Sequence, residues 1–503
     1  MTPKIHVSSS FITSGTKSQI MHLYFSFTDK KISGQLKTEN EQYLNEKIKK
    51  EEFTGKETET LSIEFLKEGT LQRITLIGLG RSTKLTARVL KDRVGEVIRG
   101  LHTSKTDTVV IHANDGIKAV EDNSEAIGEG IILGDYVFED FKAEESRKKI
   151  NHVKNAYLLV SESNAIRAKK KVESAEKKSV AVLFARNMIN TPASHLHPGT
   201  LVEKAQEIGK LSKGRVKVEV LDKKMCEKLG MGAFLGVAEG SERQPAFIVL
   251  RYEGKGSKKI ALIGKSITFD SGGLSLKPSE AMMDMKIDMS GGAAVLGVFH
   301  YLATENPTVS FGEVFGILPA CENMPSGKAI KPGDIVRAMN GKTIEVLNTD
   351  AEGRLTLADG LVYAEEQLKA DYCFDLATLT GACMVALGND LAGLFTNDEQ
   401  FEKEYNKYAT EAGDEYWRLP LYEGYAKQMK SDIADLKNIG GGRYGGAITA
   451  GLFLKAFVKK MKWIHIDIAG PAYRESEKGM LPKGASGWGV ASIINFLEQF
   501  SAL

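Results

Sequence analysis

The second half of the chain alternates strand-like apolar runs with helical segments, and this alternation limits the fold more than any other feature. The strand signals lie at residues 247–250, 260–264, 371–377 and 464–468, with a helical pattern at 291–303. Continuous apolar runs of this kind are typical of strands that are buried on both faces and covered by helices. The pattern therefore predicts a central mixed, mostly parallel sheet flanked by helices.

The first part of the chain is charge-rich and has its own α/β pattern. Its strand signals lie at 73–80 and 108–113, and its helical signals at 89–101 and 125–138. The polar stretch 161–178 mixes lysines with glutamates, as solvated connector helices do. We therefore predict a small α/β domain over residues 1–165 and a larger α/β domain over residues 166–503.

Composition excludes several classes of protein. Of the 503 residues, 42% are apolar and 26% are charged, as in ordinary globular proteins with an ample core. The formal charge of +2 favours neither a nucleic-acid partner nor a membrane surface. No signal peptide is recognisable, and no span approaches the length of about 18 apolar residues that a membrane helix needs. The four cysteines lack C-x-x-C spacing, so a reducing cytoplasm is expected.

Two carboxylates stand one residue apart in the octapeptide 348–355, NTDAEGRL, which follows a strand-like run. On extended backbone, Asp350 and Glu352 project to one face. Their like charges repel unless a cation lies between them. Such a pair is by itself most often an acidic turn at the end of a strand. Its meaning therefore depends on a second polar cluster.

That second cluster follows the strand signal at residues 259–263. Lys265 and Asp270 come directly after this strand, and Lys277 and Asp288 follow them. In open α/β sheets, ligands bind beyond the carboxyl ends of the strands. Carboxylates and lysines gathered in this way suit two hard divalent cations that share bridging oxygens.

Together the two clusters resemble the signature of the leucyl aminopeptidase family, the two-metal cytosolic exopeptidases. Segments 348–355 and 264–273 match the hallmark motifs of that family along their whole length. Further segments fit the family at 322–327, 375–382 and 465–471. The resemblance runs from about residue 180 to the C-terminus and is weak upstream. It implies a small N-terminal α/β domain, a catalytic α/β domain with a central mixed sheet, and a homohexamer.

The resemblance also implies the ligands of two divalent metal ions: Lys265, Asp270, Asp288, Asp350 and Glu352. In the family, the residues at Asp270 and Glu352 each contact both ions. Lysine coordinates only as a neutral amine, so metal charge and burial must depress the pKa of Lys265. Outside this context, Lys265 would be taken for a surface lysine. Oxygen ligands with one amine accept manganese, zinc, magnesium or cobalt.

Lys277 and Arg354 correspond to the catalytic pair of the family. Lys277 would polarise the scissile carbonyl and stabilise the oxyanion. Arg354 would hold a bicarbonate ion that relays a proton from the attacking water. Arginine cannot itself act as the base, but its planar fork suits a small planar anion. A salt bridge from Arg354 to Asp350 or Glu352 is the structural alternative.

The implied reaction is hydrolysis of the N-terminal peptide bond of peptides, with intracellular peptide turnover as the role. The substrate-binding positions of the family correspond to Met285, Asn348, Thr378, Leu379 and Gly381. Met285 could equally be a core residue. Because methionine is unbranched and adaptable, broad specificity with a leaning to Leu or Met is expected.

Other interpretations remain at this stage. His465 and Asp467 resemble a zinc pair, but we expect hydrogen-bonded structural residues. A two-metal phosphatase would also use carboxylate-bridged ions, although the lysine ligand and the lack of a histidine-rich shell disfavour it. A DNA-binding role is disfavoured by the near-neutral charge and the absence of a basic stripe. A pseudo-enzyme is disfavoured because every matched ligand is intact.

Overall fold

The chain folds into two compact units. The structure, a computed structural model, describes residues 2–11, 19–30, 41–67, 70–113, 118–442 and 444–500. Unit 1 comprises Met1–Ser179 and Ser476–Lys483, and unit 2 comprises Val180–Glu475 and Gly484–Leu503. The division along the chain falls between Ser179 and Val180, inside the helix Ala165–Asn190. Each unit has its own sheet and its own helices, which confirms the predicted α/β fold.

Unit 1 is built on a six-stranded sheet. Its strands are β1 (Lys4–Ser8), β2 (Gln19–Ser26), β3 (Thr60–Lys67), β4 (Thr70–Gly78), β5 (Thr106–His112) and β6 (Asn155–Leu159). Their spatial order is β1-β6-β5-β2-β4-β3. All neighbours are parallel except β3, which pairs with β4 in the antiparallel sense. Strands so connected require helical crossovers between them.

The helices of unit 1 are α1 (Glu41–Lys50), α2 (Ala87–Gly100), α3 (Lys118–Glu121), α4 (Ser124–Gly134), α5 (Glu144–Arg147) and the first part of α6 (Ala165–Asn190). Helix α2 buries Leu90, Val94 and Ile98, which are spaced four residues apart and therefore lie on one face. Thr86 caps its N-terminus by accepting a hydrogen bond from the backbone N–H of Val89. Helix α4 packs against α2 through residues that are buried along its whole length.

Unit 2 contains a larger mixed sheet. Its strands are β7 (Val216–Leu221), β8 (Ala246–Glu253), β9 (Lys259–Gly264), β10 (Ser266–Asp270), β11 (Glu313–Asn323), β14 (Tyr372–Ala377), β15 (Ala392–Thr396), β16 (Tyr416–Arg418) and β18 (Lys462–Asp467). The order is β16-β15-β18-β14-β9-β11-β8-β7, with β10 paired to β11. The centre, β18-β14-β9-β11, is parallel, whereas β15, β8 and β7 pair in the antiparallel sense. The predicted mixed, mostly parallel sheet is thus confirmed.

Smaller strands complete unit 2: β12 (Asp334–Arg337), β13 (Thr343–Val346), β17 (Leu436–Lys437), β19 (Tyr473–Arg474) and β20 (Gly484–Ala485). Its helices are α7 (Pro198–Leu211), α8 (Lys223–Lys228), α9 (Gly232–Ala238), α10 (Ser279–Met282), α11 (Ser290–Glu305), α12 (Gly353–Glu366), α13 (Gly381–Leu387), α14 (Glu399–Ala412), α15 (Gly446–Lys455) and α16 (Val490–Gln499). Within the described ranges, no helix combines the length and the apolar character needed to cross a membrane.

Helices cover both faces of the large sheet. Successive side chains on a strand point to opposite faces, so each strand contributes side chains to two cores. On one face, Ala261 and Ile263 of β9 join a core with Leu355 and Ala358 of α12. On the other face, the ring of Phe374 in β14 contacts Phe401 of α14 and Phe496 of α16. The carboxyl ends of the parallel strands β9, β14 and β18 are left at one edge of the sheet, where ligands bind in such folds.

The aromatic cluster around Phe496 gives a test of this packing. The ring of Phe496 lies 5.1 Å from that of Phe374 and 4.5 Å from that of Phe500. We expect Phe496→Ala to destabilise the fold by about 3–5 kcal/mol, because it removes a fully buried aromatic side chain. Denaturant unfolding followed by circular dichroism measures this loss. The control Leu211→Ala removes a side chain that is 53% exposed and should change stability by less than about 0.5 kcal/mol. Equal effects of the two variants would contradict the packing.

Candidate functional site

Charged side chains collect at the carboxyl edge of the parallel strands in unit 2. Lys265 follows β9 directly, and Asp270 is the last residue of β10. Asp288 follows the short 3-10 turn Met285–Ile287, and Glu352 caps the N-terminus of α12. The negative charge of Glu352 is favourable there because the helix dipole is positive at that end. Segments distant in the sequence therefore meet at one place.

Two lysines pair with four carboxylates at this edge. The Nζ atom of Lys265 lies 2.8 Å from Asp288 Oδ1 and 2.8 Å from Glu352 Oε1. The Nζ atom of Lys277 lies 2.9 Å from Asp270 Oδ2 and 2.5 Å from Asp350 Oδ1. The structure thus brings together all five of the metal ligands predicted from the sequence and one of the two predicted catalytic residues. These six residues are Lys265, Asp270, Lys277, Asp288, Asp350 and Glu352.

Neutral groups hold these carboxylates in place. Asp270 Oδ1 accepts hydrogen bonds from the side-chain amide of Asn323 and from the backbone N–H of Gly272, both at 2.8 Å. The hydroxyl of Thr378 donates to Asp288 Oδ1 at 2.7 Å. The backbone carbonyl of Thr378 accepts a hydrogen bond from Lys265 at 3.0 Å. The orientations of both aspartates and of Lys265 are therefore fixed by groups that carry no charge of their own.

Burial gives the site unusual protonation equilibria. Burial alone would lower the pKa of Lys265, but the carboxylates of Asp288, Glu352 and Asp270 outweigh it and raise that pKa. Burial raises the pKa of Asp288 well above its usual range, and the nearby charges of Glu352 and Asp270 add to the shift while Lys265 opposes it. Carboxylates so crowded resist ionising together unless positive charge is supplied.

The residues present fit divalent cations. One ligand atom each from Asp270, Asp288 and Glu352 lies within 4.8 Å of the other two. Oδ2 of Asp288 and Oε2 of Glu352 are buried and make no hydrogen bond within the described part of the chain. The four carboxylates of the cluster outnumber its two lysines, 4 − 2 = 2. A formal excess of two negative charges, counted with every group ionised, together with unsatisfied buried oxygens suits hard cations.

Arg354 lies in the first turn of α12 and is 7% exposed. Its Nη1 donates to the backbone carbonyl of Asn438 at 2.8 Å, and its buried Nε makes no hydrogen bond among the described residues. None of the ion pairs found in the described ranges includes Arg354, so the alternative of a salt bridge to Asp350 or Glu352 is not observed. Burial lowers the pKa of Arg354 to about 10, which still leaves the guanidinium charged near neutral pH.

Two of the predicted substrate residues, Thr378 and Leu379, lie in the loop between β14 and α13, and a third follows at the start of α13. The backbone N–H of Leu379 donates to Asp467 Oδ1 at 3.0 Å, and the hydroxyl of Thr380 donates to Asp467 Oδ2 at 2.7 Å. Thr378 contacts Asp288, as described above. Gly381 begins α13 and is exposed, with open space where a Cβ would stand. Asp467 therefore holds this loop against the charged cluster.

The other two predicted substrate residues flank the cluster. Met285 opens the 3-10 turn that leads to Asp288 and is half-buried, so it is not a full core residue. The side-chain oxygen of Asn348 accepts a hydrogen bond from the backbone N–H of Asp350 at 2.8 Å. The backbone carbonyl of Asn348 accepts one from the amide of Asn438 at 2.6 Å. Asn348 thus shapes the turn that carries Asp350.

His465 and Asp467 are hydrogen-bonded structural residues, as the sequence analysis expected. His465 Nδ1 lies 2.5 Å from Asp375 Oδ1, and Asp467 bonds the loop that follows β14. Sequence reasoning gave no role to Asn323 or Asn438, and it missed that Asp467 positions a loop. Asn323 stands at the end of β11, beside β10, so its strand-end position could have drawn attention to it. Asn438 lies two residues before a run of three glycines, and this pattern gives no sign that it bonds residues of the site.

The side chain of Lys265 occupies the space that a side chain at position 353 would need, and the residue at this position is a glycine. A Cβ at Gly353 would lie 2.6 Å from both Cε and Nζ of Lys265. Lysine side chains usually move aside, but this Nζ is held between two carboxylates. The glycine of the octapeptide therefore allows Lys265 to reach the cluster.

Comparisons with known proteins agree with this arrangement. Residues 183–494 match the model of the cytosol aminopeptidase family, catalytic domain, and residues 26–145 match its N-terminal domain. A protein of Alkaliphilus metalliredigens described as a probable cytosol aminopeptidase is 42% identical over 463 residues, which is 91% of each chain. A similar protein of Clostridium perfringens is 40% identical over 465 residues, 91% of this chain and 93% of the other.

Solved structures extend the similarity to three dimensions. A mutant of tomato leucine aminopeptidase superposes with a TM-score of 0.85 at 34% identity, covering 99% of this chain and 97% of the other. The bottromycin maturation enzyme BotP in complex with Mn superposes with a TM-score of 0.82 at 28% identity, covering 97% of this chain and all of the other.

The close approach of Gly353 and Lys265 can be tested by substitution. We expect Gly353→Ala to weaken divalent-metal affinity about 10- to 100-fold, because the added methyl group displaces a side chain that orders the carboxylates. Equilibrium dialysis with manganese measures the affinity. The control Gly100→Ala places a methyl group where nothing lies within 4 Å and should bind metal as the unaltered chain does. Undiminished affinity in Gly353→Ala would show that Lys265 has no part in ordering the site.

Proposed function

The chain belongs to the cytosol aminopeptidase family and is a metal-dependent aminopeptidase, and we propose that it releases N-terminal residues from peptides at a centre of two divalent ions. The observation that carries the proposal is the excess of carboxylates over lysines in the buried cluster, together with the unsatisfied oxygens of Asp288 and Glu352. Buried charge of one sign is tolerated only with a compensating partner.

The ligands in this proposal are Lys265, Asp270, Asp288, Asp350 and Glu352. When bound, two ions supply an ionised water and Lewis-acid polarisation of the peptide carbonyl. As an ammonium, Lys265 neutralises Asp288 and Glu352, whereas as a ligand it is a neutral amine. Lys265 would therefore have to lose a proton in order to serve as a ligand, so metal affinity is expected to fall at low pH.

Lys277 acts on the substrate in this proposal. It is held by Asp270 and Asp350, and its side chain is 14% exposed, whereas that of Lys265 is 4% exposed. Burial would lower the pKa of Lys277, but these carboxylates outweigh it and raise that pKa, so the ammonium stays charged. A fixed positive charge beside the reacting carbonyl stabilises the oxyanion that forms in the transition state.

In this proposal Arg354 would hold a bicarbonate ion, which would supply a base for the attacking water. Arg354 stays protonated at neutral pH and so cannot serve as the base itself. Two features support the anion: the guanidinium makes no ion pair within the described ranges, and its Nε is buried without a hydrogen-bond partner there. An unpaired buried guanidinium is the site that a small planar anion binds through two parallel hydrogen bonds.

The substrate lies between Met285 and the loop after β14 in this proposal. The exposed, open position at Gly381 and the half-buried side chain of Met285 support a pocket for the first residue of the peptide. Thr378, Leu379 and Asn348 contribute backbone groups that bind the peptide main chain. An adaptable methionine favours broad specificity with a leaning to Leu and Met.

Metal identity, assembly and location complete the proposal. Manganese or zinc is the metal expected, with magnesium or cobalt as substitutes, and the description of BotP in complex with Mn supports manganese.

The assembly is a homohexamer, as is usual in the family. A cytoplasmic role in peptide turnover is supported by the description of the relatives as cytosol aminopeptidases and by four free, buried cysteines.

Hydrolysis of leucine p-nitroanilide by the manganese-loaded protein tests the proposal. We expect release of p-nitroaniline that chelators abolish and manganese restores. An aryl phosphate, tested in parallel, should not be cleaved. Glu352→Ala should lose turnover and metal together, because it removes a central ligand. Full activity in that variant, or cleavage of the phosphate instead of the amide, would contradict the assignment.

Lys277→Ala separates catalysis from metal binding. We expect kcat to fall about 10²- to 10³-fold, because one preorganised positive charge at the oxyanion is lost. The metal content, measured by mass spectrometry, should stay unchanged. Lys217→Ala alters a lysine paired with Glu253 at the opposite edge of the sheet and serves as the matched control. A loss of metal in Lys277→Ala would instead make Lys277 a ligand.

A further inference from the structure

Unit 1 contains a second cluster of metal-ligating side chains that the aminopeptidase reaction does not use. His102, Asp135 and His152 each offer one ligand atom within 4.8 Å of the other two. Nδ1 of His152 lies 2.9 Å from Asp135 Oδ2, and Nε2 of His102 lies 3.6 Å from Asp135 Oδ1. We propose that these three side chains form a binding site for a zinc-class divalent cation, separate from the catalytic centre.

The backbone around the cluster is rigidly organised. The side-chain amide of Asn151 donates to the backbone carbonyls of Leu101 and Thr106, at 3.1 and 2.7 Å. The backbone N–H of Asn151 donates to the carbonyl of His102 at 2.9 Å. The backbone N–H of Val153 donates to Asp135 Oδ1 at 3.0 Å. The backbone on both sides of His152 is therefore held before any cation binds, and Asp135 contacts both histidines, which lowers the entropic penalty of binding.

The surroundings favour positive charge. Asp135 is 2% exposed and caps the C-terminal end of α4, while His102 lies just beyond the C-terminal end of α2. The carbonyl ends of two helices, each carrying partial negative charge, thus face this region. Burial disfavours the charged form of Asp135, but hydrogen bonds from His102, His152 and Val153 lower its pKa on balance, so it is a carboxylate.

Glu139 supplies the outer contact that metal-bound histidines usually have. Nε2 of His152 is buried without a hydrogen-bond partner in the described part of the chain, and so is Oε2 of Glu139. The separation between Nε2 and Oε1 of Glu139 is 3.5 Å. If Nδ1 of His152 binds the cation, its proton is displaced and Nε2–H faces Glu139. A carboxylate in that position orients the ring and increases its basicity.

The donor set selects the class of cation. Two imidazoles and one carboxylate suit zinc, cobalt or nickel, whereas magnesium and calcium prefer oxygen ligands alone. Three protein ligands leave a fourth position for water. The side chains of His102 and His152 are 14% and 19% exposed, so the cluster is accessible from solvent. Because the ligands come from the ends of α2 and α4 and from the segment that leads into β6, a bound cation would link three parts of unit 1.

Zinc binding in a Glu352→Ala background tests the proposal, because that change is designed to remove metal from the catalytic centre. We expect the full-length protein to retain one zinc ion per chain after dialysis. Adding His152→Ala or Asp135→Asn should remove that ion, since only two ligands remain. The matched control His6→Ala alters a histidine of β1 outside the cluster and should retain the ion. Zinc that is unaffected by His152→Ala would overturn the proposal.

Crystals of the unaltered protein keep the test decisive if the variants fold poorly. An anomalous difference map, measured at the zinc edge after soaking with zinc, should show a peak among His102, Asp135 and His152. The midpoint of thermal unfolding of the Glu352→Ala protein should also rise with zinc, because a ligand that binds only the folded state stabilises it. The absence of a peak at the three side chains would make them a purely hydrogen-bonded cluster.

Discussion

The structure of unit 2 depends on keeping opposite charges paired in a site from which water is almost excluded. Lys265 and Asp288 are each 3% exposed, and Glu352 is 1% exposed. An unpaired ion in such surroundings destabilises a fold by several kcal/mol, on the order of the whole stability of a domain. Strand β9, the turn before Asp288 and the start of α12 therefore have little freedom to move apart. The architecture of the sheet and the geometry of the site therefore depend on each other.

The same constraint links folding to metal binding. Four carboxylates share two ammonium groups, and the oxygens without hydrogen bonds point to a cluster that is incompletely neutralised by the protein alone. Cations that bind the folded chain stabilise it by mass action. Neutral donors such as Asn323 and Thr378 fix the carboxylates without adding charge, so the electrostatic demand for cations persists in the finished fold.

Sequence reasoning located the sheet from local signals, and it located the charged cluster from polar residues at a strand end together with the family resemblance. Apolar runs mark buried strands, and polar residues directly after them lie at the carboxyl edge, as Lys265 and Asp270 do. The supporting residues were not predicted because their partners are distant in the chain. Asn438 forms hydrogen bonds with Asn348 and Arg354, and Asp467 accepts one from Leu379. His102, Asp135 and His152 were not predicted for the same reason, since no fixed spacing marks a site assembled from two helix ends and the segment before a strand.

Anomalous diffraction from crystals of the manganese-loaded protein is the most direct measurement of the central claim. The account predicts two peaks at the carboxyl edge of the large sheet, with Asp270 and Glu352 contacting both and the Nζ atom of Lys265 contacting one. A single peak elsewhere, or none with the lysines still paired to their carboxylates, would contradict it. In that case the buried ion pairs would be a structural network, and the aminopeptidase chemistry would have to be carried by other residues.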